Sequence, residues 1–348
     1  MDKIFLGLLI FVPVAVVANF AHVSPIAVFF LAALAIVPLA KYIGEATEEL
    51  SVYTGPALGG VLNATFGNAT ELIIGILAIQ KGLVEVVKAS ITGSIIGNLL
   101  LVLGMAMFFG GWKRKTQTFN KTASLASAST LVLAVIALVI PAIFLQTSPN
   151  AGGRIIEELS VAVAILMVIV YAAQLWFSLY THKHLYVEEV GEAEANWSKA
   201  KSVSILLIAT LAVAWVSEIL VGSIEPLIAK LGWTELVIGV VVVAIIGNAA
   251  EHTSAVTMAV KDKMDLALQV SIGSAMQIVM FVAPVLVLAS LLFSSHMSLV
   301  FNTFELIAIV LSVLIANLIV EDGESNWLEG LQLMMAYVIM AVAFFFHP

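Results

Sequence analysis

Two segments of the sequence place a glutamate within an otherwise apolar stretch. GGVLNATFGNATELIIG (59–75) and GVVVVAIIGNAAEHTSA (239–255) share the pattern Gly-Asn-Ala-x-Glu, which contains Glu71 and Glu251. At the centre of a bilayer, each charged side chain costs about 2.5–3.5 kcal/mol on insertion scales. Because no Lys or Arg lies beside either glutamate, the two carboxyls must hold protons or a metal ion. The competing interpretation is a pair of protonated carboxyls hydrogen-bonded in a packed core.

The residues around the two glutamates are those that bind a hard cation. An asparagine precedes each glutamate by three residues, which places both on one helix face. Further hydroxyl and amide groups lie on the helix that follows. The predicted metal ligands are Glu71, Glu251, Asn68, Asn248, Ser94, Ser274, Asn98 and Gln277. Ca²⁺ takes six to eight oxygen ligands of this kind, and the absence of cysteine argues against a soft-metal site. For the two serines, a close helix–helix contact is the alternative.

The same two carboxylates can exchange their cation for protons. Burial and mutual repulsion favour the protonated form when no cation is bound, whereas a divalent cation favours the ionised form. Release of two protons for one Ca²⁺ is therefore natural antiport chemistry at such a site.

Three more titratable residues are predicted to form a proton path or a gate. Glu48, in ATEEL (46–50), closes the second apolar run, and Glu218, in VSEIL (216–220), lies within the seventh. His252 follows Glu251 and is of a type that titrates near neutral pH. The alternatives are interfacial charges for the two acids and a packed, hydrogen-bonded histidine.

The composition predicts the elements that must hold these residues. The chain has 348 residues, of which 61% are hydrophobic and 11% charged, against about 45–50% and 25% in soluble domains. Soluble, disordered, coiled-coil and collagen-like folds are excluded, which leaves an all-α polytopic membrane protein. About eleven runs are long and apolar enough to span a bilayer. They cover about residues 4–20, 25–42, 56–80, 86–110, 122–145, 158–181, 203–224, 234–259, 266–293, 299–320 and 327–346.

The basic residues predict an orientation. Loops on one side of the predicted membrane hold eleven of the 15 Lys and Arg residues, and loops on the other side hold four. The positive-inside rule then places the N-terminus in the cytoplasm, and the first run is interpreted as a retained helix rather than a signal peptide. A net charge of −8 and the lack of a basic stripe argue against a nucleic-acid partner.

The two Gly-Asn-Ala-x-Glu segments belong to a longer internal repeat. An offset of 180 residues without gaps pairs the segments, and it also pairs Lys81 with Lys261 and Ser94 with Ser274. The copies lie on the third and eighth runs, so they cross the membrane in opposite directions. Inverted repeats of this kind are typical of secondary transporters, with the substrate site near the bilayer midplane.

The repeat predicts one extra N-terminal helix followed by two inverted five-helix repeats. The predicted boundaries are 1–22 for the N-terminal helix, 23–182 for the first repeat, 183–201 for a cytoplasmic linker and 202–348 for the second repeat. The linker is acidic, with Glu188, Glu189, Glu192 and Glu194. It is interpreted as a solvated connection, with a cation-sensing or gating segment as the alternative.

These motifs resemble those of the calcium/proton exchanger branch (CAX family) of the calcium/cation antiporter superfamily. The resemblance is carried by both glutamate segments, together with GSIIGN (93–98), GSAMQ (273–277) and KDKMDLAL (261–268). It implies eleven helices, an inverted five-plus-five repeat and an acidic cytoplasmic helix joining the halves. It also implies Glu71 and Glu251 as central cation ligands, neighbours of Asn68, Asn248, Ser94 and Ser274, and paired gating helices that contain Glu48 and Glu218. The short chain fits a prokaryotic plasma-membrane protein.

The sequence therefore predicts a secondary antiporter, not an enzyme, that exchanges cytoplasmic Ca²⁺ for H⁺ by alternating access. The alternative within the superfamily is a Na⁺-driven Ca²⁺ exchanger or one of broader divalent specificity. A membrane hydrolase and a passive cation channel are the competing classes. The predicted partners are Ca²⁺, protons and the lipid bilayer, with a homo-oligomer among the assemblies left open. No cofactor is predicted, because Ca²⁺ and H⁺ are transported ions.

Overall fold

A computed structural model describes residues 3–148, 150, 152–182 and 195–347 of the chain. Helices dominate it, and their apolar segments correspond in order to the eleven predicted runs. Eight single helices are long enough to cross a membrane: Lys3–Phe20, Pro25–Gly55, Val84–Gly111, Lys121–Thr147, Gly153–Thr181, Lys199–Leu231, Met264–Ser290 and Trp327–Phe346. Two bent pairs, Leu58–Phe66 with Ala69–Gln80 and Glu235–Gly247 with Ala249–Val260, each form one further segment. The shorter helix Thr303–Ile319 completes the set. We number these segments spans 1 to 11 in chain order.

Span 2 continues well beyond its predicted end. The apolar run stops near residue 42, yet the helix reaches Gly55. Its last turns are amphipathic, with Ile43, Ala46 and Leu50 buried at spacings of three and four. A helix with that periodicity buries one face without being apolar all round. Gly55 ends it with a φ of +78°, a backbone conformation that favours glycine.

Span 7 is also longer than its apolar run. It starts at Lys199, after Ser198, whose side chain accepts a hydrogen bond from the Lys201 backbone and so caps the helix. The helix turns at Ser223 and continues as Ile224–Leu231. It stops at Gly232, which adopts a left-handed φ of +67°. Capping residues, Ser198 at the start and Gly232 at the end, therefore define both ends, rather than the edges of the hydrophobic run.

Loops that follow even-numbered spans meet at one end of the helical bundle, and loops that follow odd-numbered spans meet at the other. Between spans 4 and 5, the strand Gln117–Thr118 pairs antiparallel with Glu324–Ser325 between spans 10 and 11. The Gln117 amide also donates to Asp262, between spans 8 and 9, at 2.8 Å. At the opposite end, His296 contacts Glu157 at 3.0 Å, which joins the loop after span 9 to the start of span 6. This grouping is the one that alternating membrane crossings require.

The two halves of the chain cross at two glycines. A Cβ on Gly93 of span 4 would lie 2.2 Å from the Val240 carbonyl oxygen of span 8. Reciprocally, a Cβ on Gly239 of span 8 would lie 2.4 Å from the Ala89 Cβ of span 4. Small residues let helix backbones approach this closely inside a membrane. Gly93 immediately precedes Ser94 and lies five residues before Asn98, so the crossing sets the position of both side chains against span 8.

Candidate cation-binding site

Spans 3 and 8 are each broken at a Gly-Asn pair. Span 3 bends by 43° and span 8 by 57°. Asn68 and Asn248 leave the helical conformation at the breaks, with φ, ψ of −105°, 16° and −91°, 8°. Each buried asparagine bonds back to the carbonyl four residues earlier, at 3.1 Å to Ala64 and 2.7 Å to Ala244. The side-chain amides thus satisfy carbonyl groups at the breaks, as buried backbone groups require.

The breaks place both glutamates at the start of a half-helix. Glu71 lies in the first turn of Ala69–Gln80, and Glu251 lies in the first turn of Ala249–Val260. Backbone N–H groups at a helix N-terminus carry a partial positive charge that stabilises anions. Broken helices in transporters use the same dipole at their substrate sites. Both half-helices therefore supply favourable electrostatics for an ionised carboxylate.

Hydrogen bonds across the two repeats hold the breaks together. Asn68 of span 3 donates to the Gln277 side chain of span 9 at 2.6 Å. Asn248 of span 8 donates to the Ser94 hydroxyl of span 4 at 2.8 Å, and its own oxygen accepts from Asn98 at 3.1 Å. Each asparagine thus binds a helix of the opposite half. The site consequently exists only where the two halves meet.

The two carboxylates have different neighbours. Glu251 accepts a hydrogen bond from Ser274 at 2.7 Å and also interacts with Asn98. Glu71 lies against the opposite break, since a Cβ on Gly247 would be 3.1 Å from its Oε1. The two carboxylates are also close enough to interact electrostatically. Six of the eight predicted ligands, Glu71, Glu251, Asn98, Asn248, Ser94 and Ser274, are thus connected in one cluster. Asn68 of the broken span 3 and Gln277 of span 9 form a separate hydrogen-bonded pair.

Three oxygens of this cluster are buried without a hydrogen-bond donor among the described residues. They are Glu71 Oε2, Glu251 Oε2 and Asn98 Oδ1. A buried polar atom left unsatisfied costs about 1–3 kcal/mol, and more when it is charged. A hard cation, or protons on the carboxylates, would satisfy these oxygens. Within the described ranges no group of three or more His, Cys, Asp or Glu side chains is arranged to hold a metal ion, so a cation bound here would rely on two carboxylates and neutral oxygens.

The residues predicted for a proton path or gate lie outside this cluster. Glu48 is exposed near the end of span 2, and Glu218 is exposed on span 7. His252 is partly buried beside Glu251. The part of the linker that contains the four predicted acids, residues 183–194, lies outside the described residues.

Sequence reasoning missed two features near the site. Glu305, in the first turn of span 10, is 1% exposed. It accepts hydrogen bonds from Thr92 of span 4 at 3.2 Å and from the Asn302 backbone at 3.0 Å. The spacing Asn302-x-x-Glu305 is a capping-box pattern that could have revealed it. The second feature is a pair of π-helical segments, Gly97–Val102 in span 4, which contains Asn98, and Ile278–Val282 in span 9, directly after Gln277. No sequence pattern predicts these segments.

This architecture matches that of a known protein family. The model of the family described as "Sodium/calcium exchanger protein" matches the chain twice, over residues 24–180 and 201–346. The chain belongs to the sodium/calcium exchanger family. The two matched regions contain the two broken spans, one in each.

Several similar proteins match this chain over nearly its full length. A protein named Ca(2+)/H(+) antiporter from Aphanothece halophytica is 49% identical, with 100% of this chain and 97% of the relative covered. The Ca(2+)/H(+) antiporter ChaA of Bacillus subtilis (strain 168) is 46% identical, with 96% of each covered. The solved structure of native YfkE matches with a TM-score of 0.88 and 43% identity, covering 99% of this chain and 100% of that chain. These matches confirm the predicted family and the all-α, multi-pass membrane fold.

Proposed function

We propose that this exchanger-family protein carries Ca²⁺ out of the cytoplasm in exchange for H⁺. The observation that carries the proposal is the pair Glu71 and Glu251, which face one cluster from the N-termini of two half-helices. Each has a buried oxygen without a donor in the described part of the chain. Relatives named Ca(2+)/H(+) antiporters at 49% and 46% identity support it.

Competition for the two carboxylates is the proposed coupling. In the ionised state, Glu71 and Glu251 bind the cation, with Asn98, Asn68, Asn248, Ser94, Ser274 and Gln277 as the neutral part of the predicted site. Removal of the cation leaves two buried carboxylates that repel each other, and protonation relieves that repulsion. Because one site holds either the cation or protons, Ca²⁺ crosses the membrane in one direction and protons cross in the other.

The inverted repeat supplies alternating access in this proposal. The domains are residues 1–22, 23–182, 183–201 and 202–348, with the two repeats exchanging conformations about the shared site. Glu48 and Glu218 act on spans 2 and 7 as gate or proton-path carboxylates, and His252 lies beside the central pair. We place the N-terminus in the cytoplasm and the protein in a prokaryotic plasma membrane. Ca²⁺, protons and lipid are its partners. The mass of the purified protein in detergent would show whether it also forms a homo-oligomer.

Transport into inside-out membrane vesicles tests the proposal. A pH gradient, acidic inside, should drive uptake of radioactive Ca²⁺, and a protonophore should abolish it. A Na⁺ gradient imposed without a pH gradient should drive no uptake. Uptake driven by Na⁺ alone would replace the proposal with a sodium-driven exchanger. Repeating the assay with Mn²⁺ ranks the divalent ions, which oxygen ligands alone do not separate.

A further inference from the structure

The last residues of the linker between the repeats are bound to the end of span 2. Glu49 accepts a hydrogen bond from the Asn196 amide at 3.0 Å through one carboxylate oxygen. Its other oxygen accepts from the Trp197 backbone N–H at 3.0 Å. One helical turn later, the Tyr53 hydroxyl donates to the Trp197 carbonyl oxygen. Both backbone groups of Trp197 are therefore held by side chains of span 2.

Trp197 also lies directly against the start of span 7. It precedes Ser198, which caps that helix. The Lys201 ammonium lies 4.5 Å from the centre of the Trp197 ring, a cation–π geometry, and its charge also acts on Glu49. The contacts of Glu49, Tyr53, Asn196 and Trp197, which we call the linker clasp, thus fix the start of span 7 to the end of span 2.

The two helices joined by the clasp are neighbours along their length. The helical stretch Pro25–Phe66, which contains span 2 and the first half of span 3, packs more extensively on span 7 than on any other described segment. Span 7 also packs against Ala69–Gln80, and the helical stretch Pro25–Phe66 packs against Ala249–Val260. Beyond the clasp, Gly55 and its left-handed turn connect span 2 to span 3. Spans 2 and 7 are therefore placed to change position together relative to the glutamate-bearing half-helices.

From this geometry we infer that the linker clasp couples spans 2 and 7 into one moving unit, with Glu49 as a positioning residue for the transport cycle. The inference rests on the proposed exchange function. Glu49 touches none of the predicted cation ligands, so it acts through the helices it joins. Glu48, its neighbour in sequence, is exposed and lacks these contacts.

Kinetics in vesicles give the first test. Glu49→Gln and Tyr53→Phe should each lower the maximal rate of pH-driven Ca²⁺ uptake by at least about fivefold, with the KM for Ca²⁺ within about twofold of wild type. Glu45→Gln is the matched control, because it neutralises an acid one turn earlier on span 2 and should leave the rate unchanged. Uptake is normalised to monodisperse protein, so that misfolded variants do not count as slow ones. Wild-type rates in both clasp variants would overturn the inference.

Cross-linking provides a rescue that loss of folding cannot mimic. The chain has no cysteine, so Glu49→Cys and Asn196→Cys can be combined and joined by a short bis-maleimide. The unlinked double variant should transport as slowly as Glu49→Gln, and linking should restore most of the wild-type rate. N-ethylmaleimide, which modifies both thiols without joining them, should restore none. A linked protein that transports no faster than the unlinked one would overturn the inference. The proposed function would still stand in that case, provided that the wild type shows uptake. Absence of uptake by the wild type would overturn both.

Discussion

Glu71 and Glu251 occupy equivalent positions in the repeat but have different partners. Glu251 accepts a hydrogen bond from Ser274 at 2.7 Å, whereas no side chain among the described residues donates to Glu71. Glu71 instead lies beside Gly247, where an added Cβ would be 3.1 Å from its Oε1. The site is therefore symmetric in its backbone and asymmetric in its hydrogen bonds. The two carboxylates need not bind or release their ions equally.

Removal of either carboxylate charge should abolish exchange. Glu71→Gln and Glu251→Gln keep the side-chain size but remove the carboxylate that we propose binds either a cation or a proton. Ca²⁺ uptake driven by a pH gradient should fall to the level of empty vesicles in both variants. Glu157→Gln, which removes a partly exposed acid at the start of span 6, is the control and should retain uptake. Substantial residual uptake in either site variant would refute a site of two carboxylates.

A methyl group at the break of span 8 should disturb Glu71 directly. The Cβ of Gly247→Ala would lie 3.1 Å from Glu71 Oε1, so the carboxylate must shift by a few tenths of an ångström. Small misplacements of reacting groups can cost up to about 100-fold in rate, and we expect uptake to fall about tenfold or more. Gly97→Ala, beside Asn98 in open space, is the control and should transport normally. Equal rates for the two variants would exclude a tight contact at Gly247.

At the scale of elements, hydrophobic runs predicted the spans well and their ends poorly. Both helix breaks fall at the Gly-Asn pairs of the repeated motif, Gly67-Asn68 and Gly247-Asn248. The end of span 2 was missed because an amphipathic helix continues after its apolar run stops. The burial of Glu305 was missed because capping by Asn302 depends on how the loop meets the helix. Contacts between distant segments, such as Glu49 with Trp197, have no local sequence pattern.

The crossing of spans 4 and 8 should be sensitive to side-chain volume. Gly93 and Gly273 are equivalent in the repeat, yet a Cβ on Gly93 would meet the Val240 backbone at 2.2 Å while Gly273 faces open space. Overpacking a tight contact costs about 1–3 kcal/mol, and occasionally more. Gly93→Ala should therefore lower the thermal unfolding temperature of the purified protein in detergent, and Gly273→Ala should not. A lower temperature in Gly273→Ala, or none in Gly93→Ala, would contradict this crossing.

In the whole molecule, the site is shared by both halves of the chain. Asn68 of the first half binds span 9, and Asn248 of the second half binds span 4. Neither half contains a complete set of partners, so relative movement of the halves must alter the cluster. The matching of the family model to 24–180 and 201–346 agrees with two units of similar extent. Opposite orientation of these units is what allows one packing arrangement to open toward either side of the membrane.

Equivalent loops of the two halves should therefore face opposite sides of the membrane. Lys81 and Lys261 are related by the 180-residue offset, and both are exposed in the turns that follow spans 3 and 8. In the cysteine-free chain, a membrane-impermeant maleimide should label Lys81→Cys in intact cells but label Lys261→Cys only after the cells are opened. A permeant maleimide should label both variants, and the parent chain should remain unlabelled. In an inverted repeat, an odd number of membrane crossings separates the two turns. Labelling of both from the same side would therefore exclude the inversion. This conclusion holds whichever side of the membrane the N-terminus occupies.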